Sequence, residues 1–159
     1  NYKKAVVIVS HDRMFLDKTV NIIYEIERGK TYKYNGNYSE FIEQKKALRE
    51  KQAKVLCDKI AELSQDGHPV FCTGDFNTSE GAKAYRVMTS VMADSKYVAI
   101  ASDSGATFTN YGKADADGAP IDFVFVPQGT KVDTYKIIDE KISGMYLSDH
   151  AGLCVDLYI

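Results

Sequence analysis

The chain has 159 residues, of which 45% are apolar and 26% are charged. These values are typical of globular proteins and exclude a disordered chain, and the length is sufficient to bury a substantial core. The formal net charge of −2 excludes the strongly basic surface that dominates nonspecific binding to nucleic acid, so a nucleic-acid partner would need a local patch.

The chain contains three cysteines, Cys57, Cys72 and Cys154, at spacings that match neither a zinc site nor a redox motif. No apolar run approaches the roughly 18 residues of a membrane span, and no signal peptide is visible. These features predict a reduced, cytoplasmic protein with no membrane partner. The sequence starts without Met, so a leader ahead of Asn1 is left open.

The first third of the sequence predicts a strand, a short helix and a β-hairpin. The strand is an apolar, mostly β-branched run, which is typical of a strand buried on both faces, and the hairpin turns around Gly29. These elements are the strand 5–9, the helix 11–20 and the hairpin strands 22–27 and 31–34.

A long helix is predicted from about Tyr38 to Ser64. Asn37 and Glu40 have the spacing of a capping box at its start, and Gly67 lies beyond its end. The apolar residues that recur on one helical face are Phe41, Leu48, Val55 or Leu56, Ile60 and Leu63.

The rest of the chain alternates strand and helix patterns, which predicts an α/β fold. The predicted elements are the strand 70–73, the helix 79–91 and the strands 97–101, 107–108, 121–126, 135–139 and 153–158. We expect the long helix to pack across one mixed sheet, which would carry the strands 5–9, 70–73, 121–126 and 153–158.

Three motifs carry residues suited to chemistry. Gly74-Asp75-Phe76-Asn77 follows a buried strand, where α/β folds place ligands. Asp122 lies within an apolar strand, where a carboxylate needs a partner, so we predict a functional or hydrogen-bonded role for it. Ser148-Asp149-His150 supplies an imidazole that titrates near neutral pH. Taken alone, each of the first and third motifs also fits an ordinary polar loop.

In this order, the three motifs resemble the carboxy-terminal half of the endonuclease/exonuclease/phosphatase superfamily, which has the deoxyribonuclease-I-like fold. The resemblance covers about residues 48–159. It implies an α/β fold in which a mixed sheet layer with flanking helices forms half of a four-layer sandwich.

The resemblance also implies roles for five residues. Asp75 would orient or activate the attacking water, and Asn77 would stabilise the transition state. His150 would contact the scissile phosphate, Asp149 would contribute to the metal site, and Asp122 would orient a second histidine. The implied cofactor is Mg²⁺ or Mn²⁺, which suits an oxygen-rich site.

Residues upstream of position 48 do not resemble the amino-terminal half of that superfamily. That half supplies the principal metal-binding glutamate, an asparagine and the histidine expected to partner Asp122. Half of the implied active site is therefore absent from the sequence.

Residues 4–47 resemble a different family instead, the ABC-F type ATPases that act on ribosomes. The resemblance rests on the segment Val7–Asp17 and on the motifs Ile26-Glu27-Arg28-Gly29-Lys30 and Tyr34-Asn35-Gly36-Asn37-Tyr38-Ser39. It implies that His11 descends from a histidine that contacts the terminal phosphate of ATP. The chain has no Gly-x-x-x-x-Gly-Lys-Ser/Thr loop, so we expect no ATP binding by this chain alone.

The sequence therefore predicts a composite chain, joined within the helix near Ala47 to Gln52. The first hypothesis is a metal-dependent phosphoester hydrolase, incomplete in this chain, whose substrate could be a nucleic acid, a phospholipid headgroup or an inositol phosphate. The second is an inactive α/β scaffold in which strands 6–9 and 70–73 pair, and the third is an ABC-F ATPase fragment. If strand 5–9 takes the place of a missing strand of the phosphoesterase sheet, His11 would approach Asp75. Separately, an exposed sheet edge could pair with a second copy of the chain.

Overall fold

The fold was analysed in a computed structural model, which describes residues 4–27, 29–114 and 118–159. The chain separates into two compact units, Asn1–Leu48 and Arg49–Ile159. We refer to them as unit 1 and unit 2 and describe each by itself.

Unit 1 contains a short helix, a β-hairpin and the first part of the long helix. Helix α1 spans Arg13–Thr19, and the Asp12 side chain caps it by accepting a hydrogen bond from the amide of its third residue at 3.0 Å. Strands β1 (Ile22–Glu27) and β2 (Lys30–Asn35) pair antiparallel in a two-stranded sheet. Helix α2 spans Tyr38–Leu63. The predicted short helix, hairpin and long helix are thus confirmed.

Short-range contacts hold unit 1 together. The predicted capping box is formed: the Glu40 amide donates to Asn37 Oδ1 at 3.0 Å, and the Asn37 amide donates to Glu40 Oε2 at 2.8 Å. Lys45 on α2 pairs with Glu25 on β1 at 2.9 Å. No residue that the structure describes in this unit is buried.

The predicted strand 5–9 is not formed. This segment has no regular structure and is exposed, with Val7 at 93% and Val9 at 94% of full exposure. A strand needs neighbours for its backbone hydrogen bonds, and none of the described strands pairs with it. The scaffold hypothesis included a strand at 6–9, and that strand is likewise not formed.

Unit 2 contains two three-stranded sheets and the rest of α2. In the first sheet, β6 lies between β3 and β4 and is antiparallel to both; in the second, β7 is parallel to β5 and antiparallel to β8. The strands are β3 (Cys72–Asp75), β4 (Met92–Asp94), β5 (Ala99–Ser102), β6 (Asp122–Pro127), β7 (Lys131–Ile138) and β8 (Gly152–Tyr158). Two short helices are α3 (Lys83–Thr89) and α4 (Ser95–Val98).

The α/β class is confirmed, but the expected single mixed sheet is wrong. Strand β8 lies in a different sheet from β3 and β6. The physical reason is that β3 and β4 already occupy both edges of β6, so β8 cannot pair with β6 and pairs with β7 instead. Within the predicted strand 97–101, the first two residues belong to α4 and the others to β5.

The core of unit 2 lies between α2, α3 and the first sheet. Ala53, Cys57 and Ile60 of α2 are buried, and Cys57 Sγ lies 3.8 Å from Met88 Sδ of α3. Phe125 of β6 is fully buried in the same cluster. These three residues of α2 pack in one cluster with α3 and the first sheet.

The apolar face seen in the sequence of α2 is only partly buried. Of its residues, Ile60 is buried, whereas Leu48, Val55 and Leu63 are 41%, 67% and 49% exposed. Heptad spacing identified a helix but not the face that packs. None of the described helices is long and apolar enough to cross a membrane.

Candidate functional site

Two carboxylates lie opposite each other at one end of the first sheet. Asp75 is the last residue of β3, Asp122 is the first of β6, and the two are direct partners in the antiparallel register. Side chains at such positions point to the same face, with Cβ atoms roughly 5 Å apart. Two like charges in this position repel each other, so the pair favours a positive group between or beside them.

The Gly74-Asp75-Phe76-Asn77 motif forms a tight polar turn at the end of β3. The Asp75 carboxylate accepts two hydrogen bonds from Asn77, from its amide and from its side-chain Nδ2, both at 2.7 Å. Gly74 has φ +151° and Asn77 has φ +48°, conformations that glycine and asparagine adopt more readily than other residues. The turn therefore fixes the carboxylate and the amide side by side at an exposed position.

His150 is held directly against Asp122. Its Nδ1 lies 2.8 Å from Asp122 Oδ2, and both side chains are partly buried. An ionised carboxylate can only accept, so Nδ1 carries the proton and Nε2 is left for another partner. The hydrogen bond that His150 donates to Asp122 raises the pKa of His150, whereas partial burial lowers it. The negative charges of Asp122, Asp75 and Asp149 raise this pKa further.

One expectation about Asp122 is not tested by this pairing and stays a prediction. The resemblance implied that Asp122 orients a second histidine supplied by the absent half. In the structure the partner of Asp122 is His150 itself. The predicted hydrogen-bonded role of Asp122 is confirmed. The two residues are 28 positions apart, and local sequence patterns do not show contacts at that distance.

Thr107 positions this pair and was not predicted as a site residue. Its side chain is fully buried, and its Oγ1 accepts hydrogen bonds from the amides of Ile121 at 3.0 Å and Asp122 at 3.1 Å. Its carbonyl accepts the Ala151 amide at 2.7 Å. One residue thus joins the segment that begins at Asp122 to the one that follows His150. The available signal was the short strand candidate 107–108 between two loops.

Phe108 forms one wall beside the histidine. It pairs with His150 in an isolated antiparallel bridge, and the two rings meet edge-on with centroids 5.2 Å apart. This contact restricts the rotation of the imidazole ring.

Asp149 is fixed mainly through its backbone. Its carbonyl accepts hydrogen bonds from the Thr109 amide at 2.8 Å, the Asn110 amide at 2.9 Å and Thr109 Oγ1 at 3.0 Å. Its carboxylate accepts from Ser148 Oγ at 3.3 Å and is close enough to contribute to the pKa shift of His150. Asp149 therefore precedes His150 in the chain and is held through its backbone by Thr109 and Asn110.

These residues do not form a complete metal site. Within the ranges that the structure describes, no three histidine, cysteine, aspartate or glutamate side chains are grouped so that they could hold a metal ion. A site for Mg²⁺ or Mn²⁺ that used Asp149 would need further ligands, and its role as a metal ligand stays a prediction.

His11 lies in unit 1, in the exposed segment immediately before α1. Its neighbour Ser10 accepts a hydrogen bond from the Asp12 amide through Oγ at 3.1 Å, which begins the cap of that helix. The predicted approach of His11 to Asp75 stays a prediction.

Comparison with known sequences identifies relatives of the amino-terminal part. The model of a family described as ABC transporter matches residues 24–64. A putative ATP-binding protein of Bacillus subtilis, YdiF, is 51% identical over 65 residues, which are 39% of this chain and 10% of that protein. The chain thus spans about a tenth of this relative's length.

Comparison with solved structures identifies neighbours of the endonuclease/exonuclease/phosphatase family. An endonuclease/exonuclease/phosphatase from Bacteroides vulgatus is 26% identical with a TM-score of 0.62, covering 83% of this chain and 51% of that one. A family protein from Bacteroides thetaiotaomicron is 25% identical with a TM-score of 0.62, covering 70% of this chain and 44% of that one. The chain spans about half the length of these structures.

The position of the join stays a prediction. The compact units divide between Leu48 and Arg49, whereas the family match continues to residue 64, through the whole of α2. Both resemblances are nevertheless confirmed. The chain joins an amino-terminal segment similar to ABC-F type ATP-binding proteins to a carboxy-terminal part that resembles half of an endonuclease/exonuclease/phosphatase-family structure.

Proposed function

We propose that unit 2 carries one part of a phosphoester-hydrolysing site, and that turnover is weak in this chain or requires a complementary amino-terminal half. The observation that carries the proposal is the Asp122–His150 hydrogen bond of 2.8 Å beside the Asp75–Asn77 turn. The fraction of the family structures that this chain spans, 44–51%, supports the requirement for a second half.

The geometry suits binding of a phosphoryl group. With Nδ1 donating to Asp122, a protonated His150 presents Nε2–H to a phosphoryl oxygen, where a charge-assisted hydrogen bond stabilises developing negative charge. Asn77 uses one side-chain N–H for Asp75 and keeps a second for the same purpose. The exposed Asp75 carboxylate can accept a hydrogen bond from an attacking water.

We further propose that Mg²⁺ or Mn²⁺ is the cofactor and that Asp149 is one of several ligands. The other ligands would come from the complementary half, because the described residues of this chain do not form a metal site. Phosphoesters as a class, nucleic acids included, are the proposed substrates.

The direct test is hydrolysis of bis-p-nitrophenyl phosphate by the full chain with Mg²⁺ or Mn²⁺. The assay is run alone and after mixing with the amino-terminal half of the Bacteroides vulgatus relative. Asp75→Ala and His150→Ala are expected to abolish turnover, whereas Asp58→Ala and His68→Ala, at exposed positions away from the site, are expected to retain it. Equal turnover in the unsubstituted chain and all four variants would contradict the proposal.

An inactive scaffold is the second candidate, and one observation favours it: unit 2 has a buried core of its own. This candidate predicts a cooperative thermal transition that Mg²⁺ and Mn²⁺ leave unchanged. A shift of the transition by either ion that Asp149→Asn removes would exclude it. The third candidate, an ATPase fragment, predicts ATP-induced stabilisation that His11→Ala removes.

A further inference from the structure

Strand β8 (Gly152–Tyr158) has one side without a partner among the described strands. It lies at the end of the second sheet and pairs only with β7, along all seven of its residues. The other edge strands of unit 2 are shorter, because β3 and β5 have four residues each and β4 has three. A free edge exposes a row of backbone N–H and C=O groups, so β8 offers the most hydrogen bonds to a further strand.

The sequence of β8 lacks the features that usually protect the edge of a sheet. Protected edges carry lysine or proline, a bulge, or inward-pointing charges. Strand β8 reads Gly-Leu-Cys-Val-Asp-Leu-Tyr, in which Asp156 is the only charged residue. The irregularity of the β7–β8 ladder falls between Val132 and Thr134 of β7, so β8 itself is continuous. The free side of β8 is therefore suited to pairing with another strand.

The pattern of side chains along β8 is symmetric about Val155. Leu153, Val155 and Leu157 are half-buried, and the residues on either side of each are exposed. In an antiparallel pair of two β8 strands centred on Val155, this residue opposes its own copy, and Leu153 opposes Leu157 of the second copy. The charged Asp156 opposes the uncharged Cys154. A strand that is complementary to itself in this way fits a second copy of the chain around a twofold axis.

The same register brings the two ends of β8 together. Tyr158 is 67% exposed in the single chain and would oppose Gly152 of the second copy. Because glycine has no side chain, an aromatic ring on the facing strand can cover it, an arrangement that stabilises sheets. Gly152 follows His150 by two positions, so the second copy would cover the strand that leads away from the candidate site.

We propose that two copies of the chain form a dimer by antiparallel pairing of their β8 strands, centred on Val155. The second sheets of the two copies then form one continuous sheet. This inference does not depend on the proposed function, because it rests on the free edge and the symmetric pattern of β8. The alternative occupant of the edge is a strand from the amino-terminal half of the family structures, and the experiment distinguishes the two.

The first test is sedimentation velocity of the full chain over a wide range of concentrations. We expect a dimer whose fraction rises with concentration. Cys154→Asp places a carboxylate opposite Asp156 of the second copy at two symmetric positions, whereas Cys154→Lys places an attractive pair there. The dimer of Cys154→Asp is therefore expected to be about tenfold weaker than that of Cys154→Lys.

Damage to the single chain would give the opposite result. Cys154 lies opposite Lys136 in the β7–β8 ladder. Within one chain, Cys154→Asp therefore creates an attractive pair and Cys154→Lys a repulsive one. Thermal denaturation of dilute protein measures this effect separately, so a weaker dimer of Cys154→Asp cannot be attributed to a less stable fold.

The second test concerns the register. In a Cys154→Ser chain, Val155→Cys places two thiols on directly opposed residues, whose Cα atoms lie roughly 4.5–5.5 Å apart and within reach of a disulfide. Oxidised glutathione should join the two chains, and each disulfide formed releases two molecules of reduced glutathione. Leu157→Cys in the same background is the matched control on the same face. Its two copies lie four residues out of register and should not be joined. Non-reducing gel electrophoresis measures both.

The inference is overturned if the chain is monomeric at every concentration, if the two charge variants dimerise equally, or if Leu157→Cys cross-links as readily as Val155→Cys. Assemblies larger than a dimer also overturn it, because twofold pairing of β8 forms a closed assembly. A monomer that binds the amino-terminal half of the Bacteroides vulgatus relative would assign the edge to that half instead. A dimer without hydrolysis supports this inference and contradicts the proposed function alone, and hydrolysis by a monomer contradicts only this inference.

Discussion

All buried side chains of the described residues lie in unit 2, whereas those of unit 1 are exposed or half-buried. Unit 1 relies on a hairpin, two capped helix starts and the Tyr34–Phe41 ring contact at 4.8 Å between centroids. Unit 2 buries aromatic and sulfur-containing side chains between helices and a sheet. Similar secondary structure is thus held by local hydrogen bonds in one unit and by a core in the other.

The two units differ in which structural elements can form from the residues that each contains. Local elements survive in unit 1 because caps and turns are encoded within a few residues. Its apolar run 5–9 needs neighbouring strands and stays exposed. The chain spans about half of a family structure, and unit 2 includes both a sheet and the helices that pack against it.

Among these predictions, removal of an aromatic ring from the core of unit 2 should change stability most. Phe125→Ala should lower the free energy of unfolding of unit 2 by about 3–5 kcal/mol, because the fully buried ring leaves a cavity. Phe41→Ala in unit 1, the matched control, should leave the unfolding of unit 2 unchanged. Urea denaturation, monitored by hydrogen exchange of the unit 2 amides, measures the unfolding free energy of unit 2 in both variants. An equal cost for Phe41→Ala would contradict the proposed difference between the units.

The next effect concerns the buried Thr107 hydroxyl. Thr107→Val keeps the shape of the side chain but removes the acceptor of two amide hydrogen bonds, so it should cost about 1–3 kcal/mol. Thr107→Ser retains the hydroxyl and should cost less. Thermal denaturation and the NMR signal of His150 report stability and site geometry separately. If Val and Ser variants are equally stable, the hydroxyl does not position the site.

A smaller and more local effect is expected in unit 1. Asn37→Ala removes one side of the capping box and should destabilise the start of α2 by about 1 kcal/mol. Faster hydrogen exchange should be limited to the first turns of α2, and unit 2 should not respond. Gln52→Ala, at an exposed position of the same helix, is the control. A lower unfolding free energy of unit 2 in Asn37→Ala would show that the two units are coupled.

The last prediction concerns the protonation of His150. Asp122→Asn should lower the pKa of His150, because the hydrogen bond with the carboxylate is the main cause of its rise above 6.5. A raised folded-state pKa stabilises the fold below pH 6.5, and this contribution is lost as pH rises through the folded pKa. The Asp122→Asn variant should lose less free energy of unfolding than the unsubstituted protein as the pH rises through this range. NMR titration of the imidazole Cε1 proton, with Asp58→Asn as control, measures the shift; an unchanged pKa would exclude the pairing.

Most of the local elements and the candidate site residues could be predicted from the sequence alone. The cap at Asn37, the hairpin and the long helix follow from interactions within a few positions, which the pattern shows directly. The motifs at Asp75, Asp122 and His150 were found because their residue types and order are specific.

Tertiary structure decided which surfaces are covered and which residues meet. It left the strand-like run 5–9 unpaired, buried Ala53 and Cys57 rather than the heptad residues of α2, and placed β8 in a second sheet. It also paired Asp122 with His150 and placed Thr107 beneath them. Such contacts depend on which strands are available as neighbours, and a local pattern of apolar and polar residues does not contain that information.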